Sequence, residues 1–203
     1  MNQSVLSRPS PGLRRSGLAI AAAAALSVCC LVAASDRSAA AGPLCFGQEA
    51  TAGITYIVAA DATTIEGTPG NDVIFGTPGV DVVYGFGGED RICGGNASDR
   101  VWAGPGTDRL NGEGAEDTLY GGPGEDEILG SGGRDKASGG NDPDLIRGGA
   151  ADDLLNGGSG NDQIFGEAGN DRIDGDNADP YFGYGPADVC DGGEGVNAIV
   201  NCP

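Results

Sequence analysis

From Gly67 to Asp174 the chain keeps a nine-residue register without a gap, and few features restrict a fold more. Cut at Gly67, the sequence falls into twelve blocks: GTPGNDVIF, GTPGVDVVY, GFGGEDRIC, GGNASDRVW, AGPGTDRLN, GEGAEDTLY, GGPGEDEIL, GSGGRDKAS, GGNDPDLIR, GGAADDLLN, GGSGNDQIF and GEAGNDRID. The sixth position of the block, slot six, is aspartate every time: Asp72, Asp81, Asp90, Asp99, Asp108, Asp117, Asp126, Asp135, Asp144, Asp153, Asp162 and Asp171. Only Asp142, Asp152 and Asp174 fall out of phase in that span, so the spacing of aspartate is a property of the fold rather than of composition. Slot one is glycine except at Ala103, and slot eight is Ile, Val or Leu except at Ala137. Slot four is glycine in eight blocks, with Ala97, Ala115, Asp142 and Ala151 in the others.

Slots seven to nine read as a short strand, because alternation sends the apolar slot-eight side chain one way and its neighbours the other. Slots one to five read as a glycine-dependent turn. Two blocks make one coil of eighteen residues, and twelve make six coils with two parallel sheets face to face. Slot eight then builds a thin core from two ladders, Ile74 to Ile164 on one side and Val83 to Ile173 on the other.

The same stacking sets the slot-six carboxylates in two columns, Asp72 with Asp90 and Asp108, and Asp81 with Asp99 and Asp117. Neighbouring unit charges about 5 Å apart repel by about 1 kcal/mol in water and about 3 kcal/mol at an effective dielectric near 20. Summed along both columns, that rivals the roughly 5–15 kcal/mol by which a domain is stable. The basic residues do not offset it, since Arg91, Arg100, Arg109, Lys136 and Arg172 occupy slot seven on the outward strand face. A hard dication held by carboxylate and carbonyl oxygens does, and calcium accepts an irregular shell of six to eight oxygens.

The blocks resemble the G-G-x-G-x-D-x-U-x consensus of the RTX, or haemolysin-type, calcium-binding repeats. The resemblance implies an all-β fold: a right-handed parallel β-roll solenoid of about six 18-residue coils with degenerate, disulfide-stapled caps. It further implies that each turn offers carbonyls and its aspartate, and that each calcium ion is shared between a turn and the one eighteen residues on. All twelve slot-six aspartates are then candidate ligands for up to about ten ions, with the column from Asp72, richer in slot-four glycine, the better binder.

Residues 1–41 read as a secretory signal peptide, with Arg8, Arg14 and Arg15 ahead of an apolar stretch from Leu18 to Ala34 and small residues at 39–41. The expected product is secreted, retains no membrane span, and carries a net charge of −22 against −19 for the whole chain. Residues 42–66 are expected to form an N-terminal cap whose Tyr56 and Ile65 stay in slot eight, residues 67–174 the repeats, and residues 175–203 an insertion and C-terminal cap. In that last segment Asp188 and Asn197 return to slot six, and Cys190 and Ile199 to slot eight; Asp188 is a further candidate ligand. Four cysteines remain after cleavage, Cys45, Cys93, Cys190 and Cys202, an even number that suits two disulfides in an oxidising compartment. Three pairings exist, and position favours Cys45 with Cys93 and Cys190 with Cys202.

Composition removes other functions. The absence of histidine leaves no His-based triad and no His-ligated zinc. The acidic balance argues against nucleic acid and against anionic lipid. Twelve equivalent turn aspartates read as structural rather than catalytic, so the expectation is a protein that is not an enzyme, with a carbohydrate-active site as the least favoured alternative. Tyr84, Trp102 and Tyr120 share slot nine on successive coils and form an outward aromatic strip. One reading makes it a platform for a glycan or cell-surface partner; the favoured reading is cross-strand stacking that stiffens the sheet.

Overall fold

A nine-residue repeat with one buried apolar position per strand cannot close a core within one coil, so its strands are stabilised only by stacking on the coils before and after. The computed structural model describes residues 64–175 and 188–202, together with the backbone of residues 55–58, and shows that stacking throughout. One sheet contains β1 (Thr55–Val58), β3 (Asp72–Phe75), β5 (Arg91–Gly95), β7 (Arg109–Gly114), β9 (Glu127–Gly132), β11 (Leu145–Ala150), β13 (Gln163–Ala168) and β15 (Val189–Asp191). The other contains β2 (Thr64–Glu66), β4 (Val82–Tyr84), β6 (Arg100–Trp102), β8 (Thr118–Pro123), β10 (Lys136–Asn141), β12 (Leu154–Ser159), β14 (Arg172–Asp174) and β16 (Ala198–Val200). Successive strands alternate between the sheets, and every pairing is parallel with an eighteen-residue offset through the repeats. Among the described residues no helix is long and apolar enough to cross a membrane.

The core is the slot-eight set. Ile74, Ile92, Leu110, Ile128, Ile146 and Ile164 face Val83, Val101, Leu119, Ala137, Leu155 and Ile173, all buried in one cluster that Ile65 and Ala103 join. Cys190 and Cys202 pack against its C-terminal end and are disulfide-bonded to each other. Cys93 is also disulfide-bonded; Cys45, its expected partner, lies outside the described residues, as do the apolar stretch at 18–34 and its small-residue cleavage site.

In two places the local structure departs from the expectation. Tyr56 does not occupy the slot-eight position: the backbone register pairs Tyr56 with Val73 and Ile57 with Ile74. The first half-coil is therefore one residue out of phase, because neither turn glycine nor slot-six aspartate locks its spacing at nine. The strands also outgrow three residues. From β7 to β13 they run six, because slots two and three pair in register with the next coil, as Glu113 does with Ser131 and Gly114 with Gly132. At the C-terminal end the register resumes as expected beyond the insertion, with Cys190 opposite Ile164 and Ile199 opposite Ile173.

The outward strip is a ladder of stacked rings. Tyr84 and Trp102 lie 5.2 Å apart at 15°, Trp102 and Tyr120 5.5 Å apart at 14°, and Phe86 flanks Tyr84 at 6.4 Å. Trp102 thus has both faces covered by neighbouring rings. Each such pair adds about 0.5–1.5 kcal/mol beyond its area burial. Trp102→Ala, which breaks both contacts of the central ring, is expected to destabilise the folded protein by about 1–3 kcal/mol in thermal or denaturant unfolding.

Candidate metal centre

The slot-six side chains are among the most buried groups of the molecule. None of the twelve exceeds 3% exposure, and Asp188 is at 4%. A carboxylate in such a place needs donors, and the stack supplies one per residue. Asp72 N–H donates to Oδ1 of Asp90 at 2.9 Å, Asp90 N–H to Oδ1 of Asp108 at 2.7 Å, and the relation continues down the column to Asp162. In the second column it runs from Asp81 to Asp171. Asp188 extends the first column, taking the Asp162 amide at 3.0 Å, while the neutral amide oxygen of Asn197 ends the second by taking that of Asp171 at 2.7 Å. One oxygen of each carboxylate from Asp90 onward thereby serves as a rung between coils.

The other oxygen has no such service. Oδ2 is buried without a hydrogen-bond partner in Asp90, Asp99, Asp108, Asp117, Asp126, Asp135, Asp144, Asp153, Asp162 and Asp171. Native structures leave few buried polar atoms unpaired, since each costs about 1–3 kcal/mol and more for a charged group. Ten in two rows are a standing demand for positive charge.

Slot one explains what surrounds these oxygens. A Cβ built on Gly94 would lie 2.7 Å from Oδ2 of Asp99 and 3.1 Å from the carbonyl oxygen of Gly112, the slot-one residue of the next coil. On Gly112 and Gly121 it would meet Oδ2 of Asp117 and Asp126 inside van der Waals contact, with the carbonyls of Gly130 and Gly139 at 2.9 and 2.8 Å. At Gly94, Gly112 and Gly121 glycine is needed because carboxylate and carbonyl oxygens crowd the space a side chain would fill. Among the described residues no three acidic or thiol side chains converge on one point, so a cation held in these turns draws much of its shell from backbone carbonyls. That donor set, hard oxygen with about one carboxylate per turn, fits calcium and offers nothing to metals that prefer nitrogen or sulfur.

Electrostatics points the same way. In nine of the column aspartates burial is the largest influence, the inter-coil amide opposes it, and neighbouring acidic groups reinforce it. The result pushes Asp99 and Asp108 up to about 6, Asp90, Asp126 and Asp153 up to about 7, and Asp117 and Asp144 up to about 8. Asp135 and Asp162 move upward for the same leading reason. Among the described residues, three ion pairs engage acids outside the columns. Arg109 meets Glu127 at 2.7 Å, Arg134 meets Asp152 at 3.4 Å, and Arg147 meets Glu167 at 3.1 Å while lying over the Phe165 ring. The out-of-phase Asp152 sits on the surface, where the Asn170 amides and then Arg134 hold its carboxyl below the usual range.

All twelve predicted aspartates therefore fall into two buried columns, and Asp188, a candidate from the sequence, joins the first. Two details escape the sequence, which already sets Asn197 in slot six: that one carboxylate oxygen is spent on the neighbouring coil, and that Asp72 and Asp81 differ from the other ten. Tyr84, Trp102 and Tyr120 lie on the outer sheet face, away from the columns.

Four copies of the RTX calcium-binding nonapeptide repeat match the chain, over residues 66–101, 102–137, 129–164 and 147–179. No curated protein matches it.

Proposed function

The chain belongs to the RTX calcium-binding nonapeptide repeat family, and from that premise we propose that it is an exported, non-catalytic β-roll whose folding is driven by calcium ions taken up along its two aspartate columns. The observation that carries this reading is the set of ten unpartnered, buried Oδ2 atoms, nine of them beside a slot-one glycine. A dication in these turns supplies the positive charge they call for, and it ties a coil to its neighbour. The chain's own residues set the rest: slot-six carboxylates contribute negative charge, slot-one glycines let the oxygens approach, and the slot-eight ladders hold the two sheets at a fixed separation. Export accords with the charged and apolar N-terminal segment and with disulfides at Cys93 and between Cys190 and Cys202.

The adhesion reading gains little from the aromatic ladder, because the face of Trp102 that would receive a sugar ring is already stacked. Catalysis by the out-of-phase acids is equally poorly served, since Asp152 is tied to Asn170 and Arg134.

Calorimetric titration of chelator-treated protein tests the proposal. Uptake of several calcium ions is expected, with affinities in the range of about 10⁻⁵ to 10⁻³ M typical of weak sensor and extracellular sites. Magnesium, which insists on tight octahedral geometry and keeps its water, should not substitute. Absence of calcium uptake sinks the reading.

A further inference from the structure

Ten of the twelve turns share one backbone state, and two do not. In the ten, the slot-two residue has positive φ, whether it is glycine (Gly95, Gly104, Gly122, Gly140, Gly149, Gly158) or carries a side chain (Phe86 at 77°, Glu113 at 74°, Ser131 at 77°, Glu167 at 73°). The two without it have Thr68 and Thr77 in slot two. Among the twelve, the same ten turns leave Oδ2 of their aspartate unpartnered, and the threonine turns do not.

The physical link is the slot-two amide. Where φ is positive, that N–H can turn to the next coil, as Gly104 N–H does in donating to the Gly121 carbonyl at 3.0 Å. In the threonine turns it folds back on its own aspartate. Thr68 N–H donates to Asp72 Oδ2 at 2.5 Å and Thr77 N–H to Asp81 Oδ2 at 2.6 Å. The hydroxyls add donors: Thr68 Oγ1 to Asp72 Oδ1 at 3.1 Å, and Thr77 Oγ1 to Asp81 Oδ2 at 2.9 Å. The oxygen that elsewhere demands a cation is here already satisfied. Asp81 keeps one unpartnered oxygen, Oδ1, which in later coils is the atom that accepts the preceding aspartate's amide.

Neighbouring residues do not account for the difference. Proline follows slot two in both threonine turns, yet Pro105 and Pro123 follow Gly104 and Gly122, whose turns are of the common type. A hydroxyl alone does not account for it either, because Ser131 adopts positive φ. What sets Thr68 and Thr77 apart is branching at Cβ, which makes the left-handed region a genuine outlier, whereas unbranched residues enter it at a smaller cost.

Building on the calcium reading above, we propose that Thr68 and Thr77 make the first two turns ion-free, so that the calcium columns begin at Asp90 and Asp99. If each ion is shared between turns eighteen residues apart, five turns remain in each column of the repeats, leaving four intervals apiece rather than five. The first two turns then act as an N-terminal cap in which threonine donors, rather than metal, answer both oxygens of Asp72 and Oδ2 of Asp81.

Counting bound calcium by native mass spectrometry, with equilibrium dialysis against labelled calcium as a check, tests this. The double variant Asp72→Asn/Asp81→Asn is expected to keep the wild-type ion count, whereas Asp117→Asn in the middle of its column lowers it. Thr68→Gly/Thr77→Gly, which frees slot two to take positive φ, is expected to raise the count by up to two. Loss of ions from Asp72→Asn/Asp81→Asn, with its sheet content in calcium still intact by circular dichroism, overturns the proposal and leaves the family reading standing. An unchanged count in the glycine variant overturns the role given to the threonines. A wild-type protein that takes up no calcium removes the calcium reading itself, a result distinct from the other two.

Discussion

Stripped of calcium at neutral pH, the chain freed of residues 1–41 is expected to lose its sheets and expand, and to regain both on adding calcium. The reason is the balance between a core that gains one modest side chain per nine residues and two rows of buried carboxylates. Ten of these acids present an Oδ2 with no partner, and in the ion-free stack each would be either ionised without compensation or protonated at the cost of the usual carboxylate equilibrium. Neither state sits comfortably at pH 7. High net charge and low apolar content then favour the expanded chain, and ion binding supplies folding free energy directly. Far-ultraviolet circular dichroism and sedimentation velocity, each with chelator and with millimolar calcium, read the result. A chain that stays β-rich and compact in chelator would show that the columns close unaided.

The second large effect is an inverted response to acid. Most domains lose stability on acidification because their carboxylates are held below the unfolded value. Here the sign reverses. The unfolded aspartates titrate near about 3.9, while in the ion-free fold they are pushed up to about 6 to about 8 by burial. Between those limits the folded state binds more protons than the unfolded one, so stability of the ion-free fold rises as pH falls. The contribution is fully present below the unfolded value and is lost as pH climbs through the folded range. Calcium-stripped protein brought from pH 8 to pH 5, still above the pI of 4.1 of the full sequence, is expected to recover β-sheet signal. Calcium must compete with those protons, so its apparent affinity should fall over the same interval and its binding should release protons. A sheet signal that stays flat or declines between pH 8 and pH 5 would mean that these carboxylates are not buried in the ion-free state.

Much of the architecture is legible in the amino-acid order alone. The nine-residue phase of aspartate, with glycine in slot one and an aliphatic residue in slot eight, leaves a parallel two-sheet solenoid as the economical solution, and the slot-eight ladders match it residue for residue. Covalent spacing is enough for that: if eighteen residues make a coil, residues eighteen apart must stack, and their chemistry adds up along the column. The return of Asp188 and Cys190 to register is visible for the same reason. Where the repeat signal ends, at Tyr56 and Ile57, so does the power of counting, because nothing in that half-coil locks its length to nine.

The period does not tell where each oxygen points. Whether a carboxylate's second oxygen is answered by its own turn or left for a cation depends on the rotation of one peptide group at slot two, and that rotation is set jointly by the side chain there and by the carbonyl waiting on the next coil. Threonine and glycine in slot two look equally turn-like as letters in a repeat; only the stacked backbone shows that one closes the carboxylate and the other leaves it open. The aromatic ladder obeys the same division. Its spacing follows from the register, but the near-parallel tilt that spends the Trp102 faces on neighbouring rings is a product of packing between coils.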